Sequence, residues 1–479
     1  MHRLNFLVFF SLVLFGAIGH LGCANIMAPT GGPRDTIPPR LVSALPADSV
    51  KRFTGKKIVL NFNEYIEGKD IRTELLVNPV PKTDPIVDTK LRTVTVRIKD
   101  TLQDNTTYSL QFGKGIKDFN EGNILRNFTY VFSTGDTIDE GELEGHVVIA
   151  NTGRPDSTLI AMLYTKFDDS AVIKDRPRYI ARLDSTGRFQ FRYVKPGKYA
   201  LYALKDEGGS HRYLSKAQLF AFRGAPVDIG EFNGPAIASQ ETLYAYAETA
   251  SETKKSTGTG TAPGPVPKKS KNQDTRLQVQ ANATNGTLDV LDTFRLTFSS
   301  GLKVFDSTQL RFTDNDFRDI GSRQYRYVRD STSKIVSLLY AWPTDTRFHL
   351  IIPRTFGQDS LGRKLLRDDT LSFHTKKDID YGEVQVRVKN LPSTLNPVLQ
   401  FVQSDKVRFS FPFNRGVVRK VLFPPGEYEL RILYDTNHNG VWDPGSFFGE
   451  DKRQPEKVIT IRKKMNVKAN WDNDWDTTL

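Results

Sequence analysis

Short runs in which apolar and polar residues alternate recur along most of the chain, and they constrain its fold more than any other feature. Alternation with a period of two buries one face of a β-strand and leaves the other face in water. Turn-forming residues separate the runs, and beyond the N-terminal segment no apolar pattern of helical period continues for a dozen residues. Clear examples are residues 57–63, 93–98, 188–193, 382–388 and 406–411. The sequence therefore predicts an all-β fold built from sandwiches.

Composition limits the classes of function. The chain has 479 residues, of which 38% are hydrophobic and 25% charged, as in ordinary globular proteins of several domains. Its net charge of +12 suits an anionic membrane or glycan as well as nucleic acid. Lys and Arg are scattered singly, however, without a basic helix or zinc-finger spacing, so we expect no nucleic-acid binding.

The first 23 residues have the pattern of an export signal. A basic start at Arg3 precedes a mostly apolar run over residues 4–18, which is too short for a comfortable membrane span. Residues 19–23 resemble a bacterial lipobox, in which the cysteine is lipidated and becomes the mature N-terminus. His20 departs from this pattern, which usually has Leu there. The alternative is a plain signal peptide that leaves Cys23 free or buried.

Cys23 is the single cysteine of the chain, which excludes a disulfide or a thiolate metal cluster within the monomer. We predict a lipoprotein signal peptide over residues 1–22 and a Pro/Gly-rich tether over residues 23–38. The resemblance implies a membrane anchor through lipid on Cys23. No Asp follows Cys23, which by similarity to lipoprotein sorting rules implies the outer membrane, facing the periplasm, with surface exposure left open.

A long-range repeat divides the rest of the chain into two halves. Residues 132–142 match residues 373–383 at constant offset, and residues 196–201 match residues 425–430. The repeat predicts the order A–B–A′–B′. We assign unit A to residues 36–138, unit B to 139–248, a flexible Gly/Pro/Lys linker to 249–274, unit A′ to 275–378 and unit B′ to 379–479.

Five segments of unit A contain recognisable motifs. They are residues 35–39, 58–64, 102–108, 117–123 and 132–134. These resemble the bacterial Ig-like domain first described in S-layer proteins. Phe62, Tyr108 and Phe132 are predicted to fill its core between two sheets. Unit A′ keeps related residues but lacks the Pro-Pro pair that precedes the first strand of unit A, and is the more divergent copy.

In unit B, residues 187–203 contain a Pro-Gly turn followed by Tyr-x-Leu, and unit B′ repeats this pattern. Both resemble the small prealbumin-like, carboxypeptidase-regulatory-type sandwich. The A–B pairing behind such a leader is similar to a group of Bacteroidota envelope lipoproteins. The resemblance implies a fold and a location in the cell envelope, and leaves the task of the protein open.

No catalytic motif is evident. The five histidines beyond the leader form no His-Glu-x-x-His motif, and the sequence has no nucleophile elbow, Walker loop or dinucleotide fingerprint. Strand alternation predicts structural positions on sheet faces for His349 and His374. We therefore expect a protein that is not an enzyme.

One loop has the spacing of a metal site. Residues 435–443 place oxygen-bearing groups at alternating positions, as in the first half of an EF-hand loop. The candidate calcium ligands are the side chains of Asp435, Asn437 and Asn439, the backbone carbonyl of Val441, and Asp443 directly or through water. Ser446 replaces the usual Glu, so binding would be weak. The alternative is an Asx-rich hairpin connection. The equivalent loop of unit B, residues 206–211, lacks the pattern and is not expected to bind calcium.

Trp475 is a weak candidate for contact with a glycan or partner, because it lies in an acidic C-terminal stretch that we expect to be exposed. Trp471 follows an alternating strand and is predicted to be core. Together these features predict a non-catalytic, lipid-anchored envelope protein that acts as a scaffold or adapter for protein partners. The alternative is a lipoprotein that binds glycan or peptidoglycan.

Overall fold

A computed structural model describes residues 34–230, 241–249 and 276–479 of the chain. The predicted signal peptide, Cys23, the first part of the tether and all but the first residue of the predicted linker lie outside these described residues.

The prediction of an all-β fold is confirmed. The α-helices in the described residues are short, α1 (Ile71–Glu74) and α2 (Ala171–Lys174), and the 3₁₀ helices are single turns at Ser307–Gln309, Asp378–Asp380 and Ser393–Leu395. Within the described ranges, no helix combines the length and apolar character needed to cross a membrane.

Unit A is a sandwich of two sheets. Its strands are β1 (Leu41–Leu45), β2 (Lys57–Phe62), β3 (Ile66–Glu67), β4 (Leu76–Asn78), β5 (Ile86–Lys90), β6 (Thr93–Arg97), β7 (Thr107–Gln111), β8 (Lys117–Asp118) and β9 (Thr129–Ser133). One sheet has the order β1-β2-β6-β5 and the other β4-β7-β9, while β3 pairs with β8. As predicted, Phe62, Tyr108 and Phe132 are buried between the sheets, and the Tyr108 and Phe132 rings stack with centroids 5.1 Å apart.

Unit B is a second sandwich. Its strands are β10 (Gly141–Ile149), β11 (Arg154–Pro155), β12 (Leu159–Tyr164), β13 (Tyr179–Arg182), β14 (Arg188–Val194), β15 (Gly197–Lys205), β16 (Phe220–Phe222), β17 (Val227–Ile229) and β18 (Glu241–Ala245). One sheet runs β11-β10-β14 with β18 parallel to β10, and the other runs β13-β12-β15-β16 with β17 also on β15. Strand β15 is buried from Tyr199 to Leu204, which means that its sheet is covered on both faces.

Unit A′ repeats the plan of unit A. Its strands are β19 (Val279–Ala281), β20 (Thr287–Leu288), β21 (Phe294–Phe298), β22 (Leu302–Phe305), β23 (Arg311–Asp314), β24 (Arg326–Arg329), β25 (Ile335–Leu339), β26 (Arg347–Ile352), β27 (Gly357–Asp359) and β28 (Asp369–Thr375). The sheets have the orders β19-β21-β25-β24 and β20-β28-β26-β23, and β22 pairs with β27.

Unit B′ repeats the plan of unit B. Its strands are β29 (Gly382–Lys389), β30 (Pro397–Gln403), β31 (Lys406–Pro412), β32 (Val417–Phe423), β33 (Gly426–Tyr434), β34 (Val458–Val467) and β35 (Asp472–Thr478). The sheets are β32-β29-β35 and β31-β30-β33-β34. The last strand, β35, runs parallel to the first, β29, as β18 does to β10.

Each Ig-like unit is bonded to the sandwich that follows it. In the first half, the buried side chain of Asn78 forms two hydrogen bonds of 2.9 Å with the backbone of Ile180, across the junction of units A and B. In the second half, the Tyr381 hydroxyl donates to Asp289 Oδ1 at 2.8 Å and accepts from the Val290 N–H at 2.9 Å. These bonds fix the orientation of each A unit on its B unit.

Candidate functional site: the loop between strands β33 and β34

The loop from residue 435 to residue 457 joins β33 to β34 and contains the predicted calcium ligands. Its first part folds back on itself, and its second part inserts into unit B. We call the whole segment the docking loop.

The docking loop begins with a buried carboxylate. Asp435 is only 3% exposed, and its two oxygens accept hydrogen bonds from the N–H groups of Asn439 at 3.2 Å and Gly440 at 2.7 Å. Asn437 and Asn439 also accept backbone N–H bonds, from Asn439 and Val441 respectively. This is the Asx-type network that the hairpin alternative predicted.

The other predicted ligands face one another. The side-chain amides of Asn437 and Asn439 each donate to Asp443 Oδ2 at 2.7 Å. A cation bound by Asp443 would require the two amides to turn, so that their oxygens rather than their nitrogens face the ion. Among the described residues no group of three or more His, Cys, Asp or Glu side chains is placed to hold a metal. Calcium binding, which would draw here on two carboxylates and neutral oxygens, stays a prediction.

Glu456, which the sequence did not single out, closes the base of the docking loop. It is buried, and its Oε1 accepts from the N–H and the hydroxyl of Thr436 at 2.7 and 2.8 Å. Its Oε2 accepts from the Asp443 N–H at 3.0 Å. One carboxylate therefore ties both ends of the Asx turn together through three hydrogen bonds.

The second part of the docking loop carries an aromatic plug. Phe447 is fully buried, and its ring lies within 5.7 Å, centroid to centroid, of the rings of Tyr202, Phe220 and Phe222 of unit B. We call this receiving surface, together with Tyr213 and Tyr246, the aromatic cup. The Phe447 N–H also donates to Glu248 Oε1 at 3.2 Å. Burial in the cup raises the pKa of Tyr202 to about 12.

Two glycines allow close approach around the plug. A Cβ on Gly445 would lie 2.6 Å from the Tyr246 ring. A Cβ on Gly153, whose φ is +64°, would lie 2.5 Å from the Val458 carbonyl oxygen. Beside it, the Val458 N–H donates to the Ala150 carbonyl at 3.1 Å. The contact between units B and B′ therefore includes backbone as well as side chains.

An ion cluster borders the same contact. Arg154 of unit B pairs with Glu429 and, at 3.4 Å, with Asp405 of unit B′. Arg431 lies beside them with a side chain only 4% exposed and pairs with Glu429 at 2.6 Å. Burial lowers the pKa of Arg431. A buried guanidinium of this kind depends on its carboxylate partners, so the cluster favours one arrangement of the two units.

Little in the amino-acid sequence indicates the plug. Its signal is a pair of adjacent aromatic residues, Phe447 and Phe448, inside a connection that apart from Val441 and Trp442 consists of Gly, Pro and polar residues. Two large apolar side chains in a polar loop that continues no strand pattern need a surface to cover them.

The two C-terminal tryptophans are placed in the opposite order from the prediction. Trp471 is 61% exposed in the turn before β35, with Lys468 Nζ 4.7 Å from its ring centroid. Trp475 is half-buried and packs against the core of unit B′. The reason is that residues 472–478 form a strand on the edge of the sheet, so alternation points Trp475 inward. The expectation of an exposed Trp475 was wrong, and Trp471 is the accessible ring.

His349 and His374 lie on sheet strands, as predicted. His349 stacks on Phe317 with centroids 4.2 Å apart, and its Nδ1 is 2.8 Å from Ser372 Oγ. His374 lies on β28, with Nε2 3.1 Å from Thr287 Oγ1. Both imidazoles have local structural partners.

Comparison with known proteins supports the Ig-like character of the first unit. The family profile of the bacterial Ig-like domain matches residues 35–134, which confirms the resemblance of unit A. A search of curated proteins found no match.

Several solved structures are similar to the chain at low identity. The N-terminal part of the bacterial S-layer protein SbsC is 15% identical over 44% of each chain, with a TM-score of 0.16. The TIE protein of Bacillus anthracis is 10% identical over 94% of this chain and 76% of its own, with a TM-score of 0.16. BcpA, the major pilin subunit of Bacillus cereus, is 9% identical over 71% of this chain and 99% of its own, with a TM-score of 0.17. The match spans less than half of the SbsC structure.

Proposed function

We propose that the protein is a non-catalytic scaffold of the bacterial cell envelope, anchored by lipid on Cys23, that presents β-sandwich surfaces to protein partners. The observation that carries this proposal is the contact between units B and B′. Each B unit is bonded to its own Ig-like unit, and the plug joins the two B units. Such a body holds two Ig-like units at a set separation, which is what a scaffold for two partner surfaces requires.

The envelope location rests on the leader and on the bacterial Ig-like match of residues 35–134. The similarity of the leader and the A–B pairing to Bacteroidota lipoproteins favours the outer membrane, with the sandwiches in the periplasm. Lipoprotein processing attaches more than one acyl chain, enough for stable anchoring. Cys23→Ala should move the protein from the membrane fraction to the soluble fraction and abolish labelling with palmitate. Unlabelled wild type, or a variant that stays in the membrane, would reject the anchor.

Partner capture tests the scaffold itself. We expect crosslinking in intact cells, followed by purification of the wild type, to recover a defined envelope protein. The matched control is Phe447→Ala, which keeps all four sandwiches but releases the plug. Recovery of a partner that depends on Phe447 supports a scaffold of fixed shape. Salt-sensitive retention on isolated cell wall without any protein partner would instead support the glycan-binding alternative.

A further inference from the structure

A groove of about 740 Å³ opens at one end of unit B′, where the ends of its two sheets meet the first part of the docking loop. This volume lies within the range of about 300–1,000 Å³ that is typical of small-molecule sites. The groove lies away from the plug, because Phe447 and the aromatic cup form no part of its lining. It is therefore a second feature of unit B′, separate from the contact that joins the two halves.

The polar side chains of the groove suit a ligand with hydroxyl groups. Asn390 and Asn396 line it together with Ser410, and each amide offers both a donor and an acceptor. His438 lines it as well, with Nε2 3.0 Å from Asn396 Nδ2. Side chains that donate and accept within one small space match the paired requirements of a sugar hydroxyl.

One cation in the groove has no partner in the part of the chain that the structure describes. Arg415 is exposed at the turn between β31 and β32, and among the described residues no carboxylate or carbonyl is bonded to its guanidinium. Two other arginines of unit B′ are paired, Arg387 with Asp474 and Asp476, and Arg419 with Glu383. Arg415 is thus available to a carboxylate, which a guanidinium binds through two parallel hydrogen bonds.

Part of the remaining wall is apolar, and Asp435 is the one carboxylate among the lining residues. Leu391 and Phe413 line the groove and pack against the core of the unit, and the buried Val398 lines it as well. Such a wall fits the C–H face of a sugar ring. Asp435 also lines the groove, but both of its oxygens already accept backbone N–H bonds.

We propose that this groove binds a short acidic oligosaccharide, with a sugar carboxylate on Arg415, hydroxyls on the Asn amides and a ring face on Phe413. The Arg415 guanidinium selects acidic over neutral sugars, and the amide side chains select a sugar over a simple carboxylic acid. The site adds a ligand to the proposed scaffold and does not depend on it.

The test is a calorimetric titration of the full chain with tri-galacturonic acid, and with galactotriose as the neutral sugar of equal ring number. We expect the acidic trimer to bind and the neutral trimer to bind at least tenfold more weakly. Arg415→Gln should weaken binding of the acidic trimer about tenfold, because both residues tolerate the exposed turn but only Arg supplies the charge.

The matched control is Arg408→Gln, an exposed arginine on β31 outside the groove, which should leave the affinity within twofold. No binding of the acidic trimer, equal binding of both trimers, or equal losses in the two variants would each overturn the proposal.

Discussion

Units B and B′ share one sandwich plan but use the loop after their central strand differently. Both loops begin with a buried Asp whose oxygens accept the N–H groups four and five residues later. Asp206 accepts from Ser210 at 3.2 Å and His211 at 2.7 Å, and Asp435 accepts from Asn439 and Gly440 at the same two distances. Because both units have this turn, the Asp supports the sandwich fold independently of the rest of the loop.

The difference lies in what each loop adds to this turn. In unit B, His211 Nδ1 lies 2.6 Å from Asp206 Oδ2, and Tyr213 of the same loop stacks on Phe220 of the same unit. In unit B′, Asn437, Asn439 and Asp443 enlarge the turn, and Phe447 extends into the other half of the molecule. A duplicated unit has thus kept its internal support and gained a contact with its sister unit. The interface is therefore an addition to the loop, and substitutions can remove it without removing the Asp turn.

Removing the plug should have the largest effect. Phe447→Ala empties the aromatic cup, and truncation of a buried Phe costs about 3–5 kcal/mol. With a protease recognition sequence inserted between residues 259 and 260, we expect the cleaved wild type to elute as one species in size-exclusion chromatography and cleaved Phe447→Ala to elute as two. Val441→Ala, in the same loop at a residue 63% exposed, should behave like the wild type. Cleaved Phe447→Ala halves that stay together would show that the plug does not hold the units.

A corresponding pair of buried Asp residues supports the Ig-like units, and its removal should have an intermediate effect. Asp118 of unit A accepts three backbone N–H bonds from residues 121–123. Burial alone would raise the pKa of Asp118, but these bonds outweigh it and lower the pKa. Asp118→Asn places an amide N–H against a backbone N–H and should cost about 1–3 kcal/mol, measured by urea unfolding at pH 7.

The lowered pKa also fixes the sign of the pH dependence. Asp118 stabilises unit A fully above the unfolded value of about 4, and this contribution is lost as pH falls from there through the folded pKa. The wild type should therefore lose more stability than Asp118→Asn when the pH is lowered from 5 to 3. Equal losses in the two proteins would show that the N–H network does not favour the ionised carboxylate.

Asp359 of unit A′ supports a corresponding turn with a charged partner. It accepts from the N–H groups of Leu361 and Arg363 and also pairs with the Arg363 guanidinium at 2.7 Å. Burial opposes ionisation of Asp359 as well, and the Arg363 bonds help to lower its pKa. Asp359→Asn loses an ion pair in addition to the turn, so we expect its unfolding midpoint in urea to fall further than that of Asp118→Asn. A smaller fall would mean that the Arg363 pair contributes nothing beyond the turn.

Calcium should have the smallest effect. If residues 435–443 bind the ion, calcium at about ten times Kd stabilises the native chain by about 1.4 kcal/mol. We expect a rise in the melting temperature of the wild type and none in the double variant Asp435→Ala/Asp443→Ala. The Asp206 loop serves as the internal comparison, because Asp206→Ala removes the same turn from unit B and should leave the calcium response intact. Identical melting of the wild type in calcium and in chelator would leave the loop as an Asx hairpin only.

Much of the fold could be predicted because strand alternation is a local property. The buried positions of Phe62, Tyr108 and Phe132 follow from it directly. Alternation also holds in residues 472–478, but their charges suggested a solvent-exposed tail. The burial of Trp475 follows from the pairing of β35 with β29. An edge strand buries only its inward side chains, and Trp475 is one of these.

The candidate site was less accessible to prediction because its contacts connect distant parts of the chain. The spacing of Asp435, Asn437 and Asn439 predicted a turn, and the turn is present. Glu456 reaches that turn only because β33 and β34 pair, and Phe447 reaches unit B only because the halves meet. Neither contact leaves a periodic pattern in the sequence.

The most direct test of a scaffold with fixed spacing is the distance between its two Ig-like units. Lys90→Cys in unit A and Arg326→Cys in unit A′ introduce exposed sites for spin labels on equivalent strands, in a chain where Cys23 is replaced by Ser. Electron–electron double resonance should give one narrow distance distribution for this protein and a broad one after Phe447→Ala. A broad distribution with Phe447 intact would contradict a fixed spacing, because the two halves would then move independently of the plug.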